Sequence, residues 1–450
     1  MRDRIFVRLP ATLLLVAFGL IVVHTPLTVF IGTRIPELDI VIKAWKEPLI
    51  LLSLGLIVAG LVWQKQLNSF RHDILLWVMS GYVMLHIVIA LLFNSMFALI
   101  QPWMLASLVA GLAIDLRYIL FFMAVYLLVR TYPSYRRRFL KVSVIGAIVV
   151  VGFALLQQFL PHDILKHIGY SAETIAPYLT VDKNYDFIRI NSTLRGPNPL
   201  GAYAAIVFVG CVAYVLYRWQ ELKKQRAKLG LFILLLIGST VALWTSYSRS
   251  AVIAAAIGVA AVLLVRFARS IRPHHVLAII GVSAAVGVGV YLARDSAFVH
   301  NVILHDNPTT GAELTSNTAH AESLFEGTER MLRQPFGAGI GSTGSASLYG
   351  DSPLIIENQY LFIAHESGWL GFVLFIAITI VLLRRLAHRH NDWLARTVFA
   401  SGLGLALICL IQPVWVDDTV SIIWWGLAAI ALTKGEKHER TTNKKAKRVA

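Results

Sequence analysis

Long apolar runs that carry almost no charge recur along the whole chain, and this feature limits the possible folds more than any other. Each run approaches the roughly 20 residues that a helix needs to cross a bilayer core. Charged residues make up only 15% of the 450 residues, against roughly 25% in soluble proteins. The pattern predicts an all-α, polytopic membrane protein and excludes a soluble globular one. About 12 transmembrane helices are expected, over residues 9–30, 47–64, 73–93, 114–130, 140–160, 198–217, 229–247, 250–266, 275–292, 359–383, 396–414 and 419–433.

The basic residues predict how these helices are oriented. If the N-terminus is cytoplasmic, the cytoplasmic loops and ends hold 29 of the 41 Lys and Arg residues but only 6 of the 25 acidic residues. This asymmetry follows the positive-inside rule, so both termini are expected in the cytoplasm. It also accounts for the net charge of +16 without a nucleic-acid partner. The first apolar run is too long for the core of a signal peptide and is expected to remain as the first helix.

Two loops on the expected outer side are long, whereas every cytoplasmic loop is short. The cytoplasmic side therefore has no room for a catalytic domain or a nucleotide site, and any chemistry is expected at the outer leaflet. Residues 97–112 are too short for a thirteenth span, and both a lipid-facing and a re-entrant segment stay open. The expected parts are helices 1–5 (1–160), helices 6–9 with the preceding outer loop (161–292), a large periplasmic or extracellular loop between helices 9 and 10 (293–358), helices 10–12 (359–433) and a basic cytoplasmic tail (434–450).

The large outer loop carries two patterns. Residues 320–333 place apolar side chains, among them Leu324, Phe325 and Leu332, at helical spacing between charges, which predicts an amphipathic helix lying against the membrane domain. A Pro- and Gly-rich turn follows over residues 335–344. The turn lacks the Gly-Lys-Ser/Thr of a phosphate-binding loop, so its glycines are expected to allow close backbone packing.

Two arginines precede the sixth helix. Arg189 and Arg195 are followed by a Pro-Asn-Pro sequence that opens the helix. A helix start offers unpaired N–H groups and the positive end of the helix dipole, and guanidinium groups suit phosphate oxygens. Both arginines are therefore candidate ligands of a phosphate group. The alternative is that they pair with acidic loop residues such as Asp182 and Asp186.

Two further arginines lie near outer helix ends. Arg249 follows Ser248 in the short connection between the seventh and eighth helices, and Arg117 lies near the start of the fourth helix beside Asp115. A charge at that depth is costly unless it is paired or lines a wet cavity, so both are candidates for the same anion site. The alternatives are a snorkelling arginine at position 249 and a marker of the helix entrance at position 117.

The tenth helix begins among candidate bases. Glu357 precedes it, next to Asn358, and His365 and Glu366 lie inside it. Positions 357 and 365 are about two turns apart and only ~80° apart around a helix axis, so they could share a cavity and act on one hydroxyl. The alternatives are a hydrogen-bonded interior histidine and a carboxylate favoured by the helix dipole. No His/Cys/Asp spacing predicts a metal site, and both cysteines are expected to be packing residues.

Taken together, these elements resemble the O-antigen ligase and polymerase superfamily. In that family an arginine precedes a Pro-Asn helix start, a Ser-Arg pair follows two helices later, and a large periplasmic loop comes next. Arg189 stands eight residues before Pro197 and Asn198, and Arg249, preceded by serine, fits the second element. Residues 335–341 resemble the Pro/Gly turn inside the family's loop.

The end of the outer loop resembles the last family element. That element is a histidine, then Asn, Ser or Gln, then nine residues, then Gly-x-x-Gly, -Thr or -Tyr. Asn358, followed after nine residues by Gly368 and Gly371, fits it position for position. Glu357 stands where the family has its histidine, and this is the one departure.

The resemblance implies an inverting, metal-independent glycosyltransferase without a cofactor, located as a multi-pass protein in a bacterial inner membrane. The implied donor is a glycan carried on undecaprenyl diphosphate, and the implied acceptor is a hydroxyl of a lipid, a glycan or a protein. Arginines hold the leaving diphosphate in that scheme, and the motif histidine activates the acceptor. Three interpretations stay open here: Glu357 is the base, His365 takes the role, or the acceptor differs.

Two other functions also stay open. The sequence does not separate a ligase from a polymerase that joins lipid-linked repeat units, and a ligase is preferred because one dominant outer loop precedes the tenth helix. A twelve-helix secondary transporter is the alternative from another class. It predicts broken helices at the midplane and ionisable groups deep in the membrane, whereas the charges here are expected at the outer ends of helices. Membrane lipids are expected partners of the protein in either case.

Overall fold

The described part of the chain is mostly helical, at 77%. Nine helical segments within the described residues are long and apolar enough to span a membrane, which agrees with an all-α polytopic membrane protein. Half of the ninth expected span, 275–292, lies outside the described residues, and the basic tail 434–450 lies entirely outside them. The computed structural model describes residues 4–97, 103–181, 183–267, 281, 284–285, 287–296, 298–304, 316–350, 353–389 and 391–433.

The helices used below are numbered in chain order, and short helical turns are left without a number. The first span is a pair, α1 and α2, joined by a 3₁₀ turn. The helices are α1 (Leu9–Leu20), α2 (His24–Gly32), α3 (Lys46–Trp63), α4 (Ile74–Phe97), α5 (Trp103–Thr131), α6 (Ser134–Leu156), α7 (Pro197–Leu222), α8 (Arg226–Thr245), α9 (Arg249–Phe267), α10 (Ser316–Arg333), α11 (Gln359–Ala387), α12 (Trp393–Ile408) and α13 (Asp418–Ala431).

Helix α5 lies at the centre of the bundle, and 72% of its most apolar stretch is buried. Its Tyr118 and Phe122 rings pack on Trp425 of α13, with ring centroids 5.2 and 5.9 Å apart. The helix begins at Trp103, so residues 103–112 are its first turns. The described part of 97–112 is therefore neither a separate lipid-facing segment nor a re-entrant one.

The last two helices are shorter than the sequence predicts. Helix α12 ends at Ile408, and α13 has 14 residues. Pro413 cannot donate a helical hydrogen bond, and Asp417 caps α13 by accepting from the Val420 amide at 2.9 Å. The intervening turn is hydrogen-bonded to the start of α11, because the backbone N–H of Gln359 donates to the Cys409 carbonyl at 2.8 Å. The turn thus ends α12 six residues before the end of the expected span 396–414, and α13 ends two residues before the end of the expected span 419–433.

A two-stranded sheet departs from the all-α expectation. Strands β1 (Leu179–Val181) and β2 (Asn184–Arg189) form an antiparallel hairpin in the first long loop. The register pairs Leu179 with Arg189 and Thr180 with Ile188, and it is irregular after that position. Since the hairpin ends at Arg189, it determines where this side chain meets the helices.

The bundle has two distinct ends. At one end α7, α9 and α11 begin and the two long loops lie; we call it the long-loop end. At the other end α5 and α11 finish and the connections are short; we call it the short-loop end. Between the ends, large apolar side chains such as Trp77, Leu91 and Ile380 are exposed on the flanks, as suits a surface in contact with lipid.

Candidate functional site

The hairpin brings Arg189 to the long-loop end, where α7 begins and α8 finishes. Its Nε donates to the Ser246 carbonyl at 2.8 Å, and its Nη2 donates to Asn198 Oδ1 at 2.5 Å. The Ile190 amide also donates to the Thr245 carbonyl at 3.3 Å. The half-buried Arg189 is therefore fixed in position, and two clusters that are separate in sequence meet at this side chain.

The start of α7 packs closely on the connection between α8 and α9. A Cβ atom on Gly201 would lie 2.8 Å from the Ala251 Cβ and 2.9 Å from Ser246 Oγ, so glycine permits this approach. Pro197 occupies the first position of α7, where a missing N–H costs no hydrogen bond. The N-terminal turns of α7 and α9 therefore lie next to one another, with Arg249 opening the second.

Part of the large loop covers this junction. Arg249 Nη1 donates to the Ile303 carbonyl at 3.0 Å, and Asn184 Nδ2 donates to Asn301 Oδ1 at 3.2 Å. Ile303 and Asn301 belong to one π-helical turn, Val299–Leu304. Arg249 is half-buried beneath this turn, so both motif arginines lie where a loop, a hairpin and two helix starts converge.

Arg195 occupies a different environment. Its side chain is exposed and lies close to Asp417, the cap of α13. Burial raises the pKa of the Asp417 carboxyl, and the positive charge of Arg195 opposes that shift. Of the two acidic partners that the sequence suggests, Asp186 is exposed and Asp182 lies outside the described residues.

Arg117 belongs to a buried ion network. Its guanidinium group contacts the Asp418 carboxylate directly and lies 3.7 Å from Glu47 Oε1. Lys46 Nζ is 2.7 Å and His24 Nε2 is 3.2 Å from Asp418 Oδ2. Removing one partner from a buried ion pair leaves the other charge buried and uncompensated. Arg117 therefore serves to join α5 to α13 and α3, and an anionic ligand would have to compete with Asp418 for it.

The start of α11 is fixed by Asn358. Its Oδ1 accepts from the Tyr360 and Leu361 amides at 2.9 and 3.0 Å, and its Nδ2 donates to the Leu410 carbonyl at 2.8 Å. The neighbouring Glu357 is half-buried. Its amide lies 3.4 Å from the Ser323 hydroxyl of α10. Glu357 thus lies where the amphipathic helix meets the first turn of α11.

Helix α11 is broken at Gly368, which has φ 68° and ψ −170°. The glycine-rich segment 335–344, here called the glycine turn, fills the break. The Trp369 amide donates to the Pro335 carbonyl at 3.0 Å, and the Ala338 amide donates to the His365 carbonyl at 2.6 Å. A Cβ on Gly337 would lie 2.7 Å from the Gly368 nitrogen. The close backbone packing that the sequence predicts for these glycines is confirmed here.

The other side of the glycine turn contacts α5. Ser107 Oγ donates to the Gly341 carbonyl at 2.7 Å, and a Cβ on Gly111 would lie 2.5 Å from the Gly341 nitrogen. The Gly341 and Thr343 amides point to Glu366 Oε1, at 3.1 and 3.3 Å. The turn therefore holds a carboxylate of its own chain with the kind of backbone N–H array that elsewhere binds anions.

Glu366 belongs to an ionisable cluster inside the bundle. Its carboxyl group is within hydrogen-bonding reach of Asp115, and His86 Nε2 lies 3.7 Å from Asp115 Oδ2. These three side chains are 0–4% exposed, as is the adjacent His365. Glu366 is seven residues from the start of α11, or roughly 10 Å at 1.5 Å per residue. Contrary to the expectation of charges at outer helix ends, this cluster lies deeper in the bundle.

The amphipathic helix is present as α10, four residues longer at its start than 320–333. Its orientation differs from the expectation. Leu324, Phe325 and Leu332 are 47–73% exposed, while Gly327 faces the protein, 3.0 Å from Leu361 if a Cβ is added. These three apolar side chains therefore point away from the bundle, as in a helix that lies in a membrane interface, whereas Met331 packs against the hydrophobic core.

The sequence does not predict the roles of several polar residues that belong to networks inside the bundle. Lys46 and Asp418 begin apolar runs and resemble ordinary helix-end charges, and His86 is a single histidine inside the third run. Their only sequence signal is an ionisable residue in an apolar segment. That signal marks each residue but does not identify its partner, which comes from another helix.

Comparison with known proteins adds no family assignment. No family model and no curated protein matches this sequence significantly.

Among the described residues no group of three His, Cys, Asp or Glu side chains is placed to hold a metal ion. The candidate site therefore rests on its own geometry: Arg189 and Arg249 at two adjacent helix starts, with Glu357 and the broken α11 at the same end of the bundle.

Proposed function

We propose that this protein transfers a glycan from an undecaprenyl diphosphate carrier to an acceptor hydroxyl at the long-loop end of the bundle. The observation that carries the proposal is the junction of Arg189 with Asn198 and Ser246. Through it, the two arginine elements of the O-antigen ligase pattern become neighbours at the starts of α7 and α9.

Two guanidinium groups that are fixed in position can stabilise the negative charge of the leaving diphosphate. As the bond between the anomeric carbon and the phosphate oxygen breaks, the electron pair remains on the diphosphate. Positive charge that is already in place stabilises this anion without further reorganisation. Arg189 is oriented by two hydrogen bonds and Arg249 by the Ile303 carbonyl, so both side chains are organised in advance. The N-terminal dipoles of α7 and α9 add to the same field.

The acceptor hydroxyl needs a base within hydrogen-bonding reach. Glu357 supplies a carboxylate for this role: it takes the proton while the hydroxyl oxygen attacks the anomeric carbon from the face opposite the diphosphate, which inverts the configuration. The Asn358 cap and the Ser323 contact fix the backbone at this position. His365 is less suited, because its side chain is 4% exposed and next to the filled break of α11.

The test is complementation of a deletion strain with Arg189→Ala, Arg249→Ala and Glu357→Gln, followed by profiling of surface glycan and lipid-linked intermediates. The matched controls are exposed residues of the same types, Arg34→Ala and Glu173→Gln. The three site variants are expected to accumulate lipid-linked glycan at normal expression, and the controls to restore the surface glycan. Long chains on the carrier indicate a ligase and single repeat units a polymerase. An unchanged glycan profile in the deletion strain contradicts the proposal.

One observation favours a secondary transporter as the second candidate. A helix broken at Gly368 beside the buried Asp115, Glu366 and His86 is a combination that transporters use for coupling ions. The discriminating assay uses purified protein in liposomes with an entrapped pH dye. Proton movement that is lost in Glu366→Gln, together with an unchanged glycan profile in the deletion strain, would support transport over glycan transfer.

A further inference from the structure

A cavity of about 520 Å³ opens at the short-loop end, far from the site described above. It lies between the start of α4, the ends of α5 and α11, and the residues that follow α13. Three arginines line it, Arg130, Arg385 and Arg389, and His72 lies at its exposed rim. Its volume is within the range of ordinary small-molecule pockets.

The charges of this cavity do not cancel. Arg130 Nη1 and Arg385 Nη1 each lie 2.6 Å from a different oxygen of Asp73, the only carboxylate among the lining residues. The guanidinium group of Arg389 instead donates to the Thr433 carbonyl at 2.9 Å. Three guanidinium groups and one carboxylate leave a net charge of +2 on the described walls. A further acid, Asp392, acts on Arg389 electrostatically but is already paired with Arg136 at 2.6 Å.

The guanidinium groups are oriented in advance. Tyr126 donates to Asp73 at 2.8 Å, and Arg130 lies 4.7 Å from the centre of the Phe70 ring. Burial lowers the pKa of Arg389 from its ordinary value, as expected for a cation partly removed from water. A charged group that is held in place and only partly hydrated gains from a multivalent oxygen anion.

We propose that this cavity binds a phosphate group, carried either by an anionic phospholipid headgroup or by a soluble phosphate. Its three arginines come from α5, from α11 and from the residues just after α11, and their planar forks match phosphate oxygens. The short-loop end is the basic end of the chain, and basic pockets between helices at that level are suited to anionic headgroups. If the ligand is a phospholipid, its headgroup fills the cavity while its acyl chains lie along the exposed apolar flanks. This inference does not depend on the proposed glycan transfer.

The experiment uses the full-length purified protein in a neutral detergent. Thermal unfolding and native mass spectrometry are recorded with short-chain phosphatidylglycerol, with phosphatidylcholine of the same chain length, and with inorganic phosphate. Phosphatidylglycerol is expected to bind and to raise the unfolding temperature more than phosphatidylcholine does. Equal stabilisation by inorganic phosphate identifies a soluble ligand; stabilisation by phosphatidylglycerol alone identifies a lipid.

Arg389→Gln removes one charge and keeps an amide that can donate to the Thr433 carbonyl. It is expected to weaken binding about 10-fold or more, since a charge-assisted hydrogen bond is lost. Arg384→Gln, the exposed neighbour of Arg385 outside the cavity, is the matched control and is expected to bind as wild type does. His72→Glu places a negative charge at the exposed rim without a change in the core, and it is also expected to weaken binding. Equal binding by all variants, or no preference for either anionic ligand over the zwitterionic phosphatidylcholine, overturns the proposal.

Discussion

Gly368 interrupts α11 in a backbone conformation that is essentially restricted to glycine. With φ 68° and ψ −170°, the residue lies in a region that costs other residues about 1–3 kcal/mol. A Cβ atom at this position would also lie 2.5 Å from the Pro335 carbonyl oxygen and 2.7 Å from the Phe336 carbonyl carbon. These are backbone atoms of the glycine turn, so they cannot move aside by changing a rotamer.

The cost of Gly368→Ala follows from these contacts. The turn has to move out of the break, which loses the Trp369–Pro335 and Ala338–His365 hydrogen bonds, at about 1 kcal/mol each. Together with the backbone cost, the substitution is expected to destabilise the protein by roughly 3–5 kcal/mol. At about 2 °C per kcal/mol, the low end for large domains, the unfolding temperature is expected to fall by roughly 6–10 °C.

The assay is thermal unfolding of purified protein in detergent, with Gly81→Ala as the control. Gly81 lies in the neighbouring α4, and a Cβ there meets nothing within 4 Å. The control is expected to be neutral or stabilising by up to about 1 kcal/mol, because alanine is preferred in a helix interior. If both variants unfold at the same temperature, α11 is continuous at position 368 and the inserted glycine turn is refuted.

Three further predictions concern buried charges. Asp418→Asn is expected to lower the free energy of unfolding by about 3–5 kcal/mol, because Arg117 then remains buried against a neutral amide; chemical or thermal unfolding checks this. Glu366→Gln is expected to keep wild-type stability to within about 1 kcal/mol, because an amide at this position can donate to the Asp115 carboxyl group and its oxygen still accepts from the Gly341 backbone amide; a large loss contradicts that contact. For Asp73, burial alone raises the pKa of the carboxyl, but hydrogen bonds and the arginine charges hold it below the ordinary 3.8. Its stabilisation is therefore complete above that value and lost as the pH falls through the lower folded-state pKa, where the difference in unfolding temperature between wild type and Asp73→Asn is expected to vanish.

Local features of the fold are readable from the sequence. The start of α11 is expected at residue 359 and is found there, because the Asn358 cap acts within its own turn. The eighth expected span, 250–266, differs from α9 by one residue at each end. Apolar length and a helix cap are properties of consecutive residues, and the membrane imposes the same requirement on each segment separately.

The sequence does not predict which environment surrounds the apolar side chains of an amphipathic helix. The spacing of Leu324, Phe325 and Leu332 predicts a helix, yet it does not reveal which apolar environment receives the stripe. In a soluble protein the protein core is the only candidate. Here the lipid is a second one, and the structure leaves these side chains exposed on the outside of α10. The helical spacing depends on neighbouring residues in the chain, whereas the environment that receives the apolar side chains depends on the whole fold.

The sequence by itself determines that this chain is a multi-helix membrane protein, and it marks Arg189, Arg249 and Glu357 as candidate functional residues. Only the tertiary structure decides that Arg189 bonds to Asn198 and Ser246, that Arg117 is paired with Asp418, and that the glycine turn fills a broken helix. The physical reason is that each apolar run inserts on its own length and hydropathy, whereas a buried charge is satisfied by a partner from another helix. Which helices become neighbours depends on packing across the whole bundle.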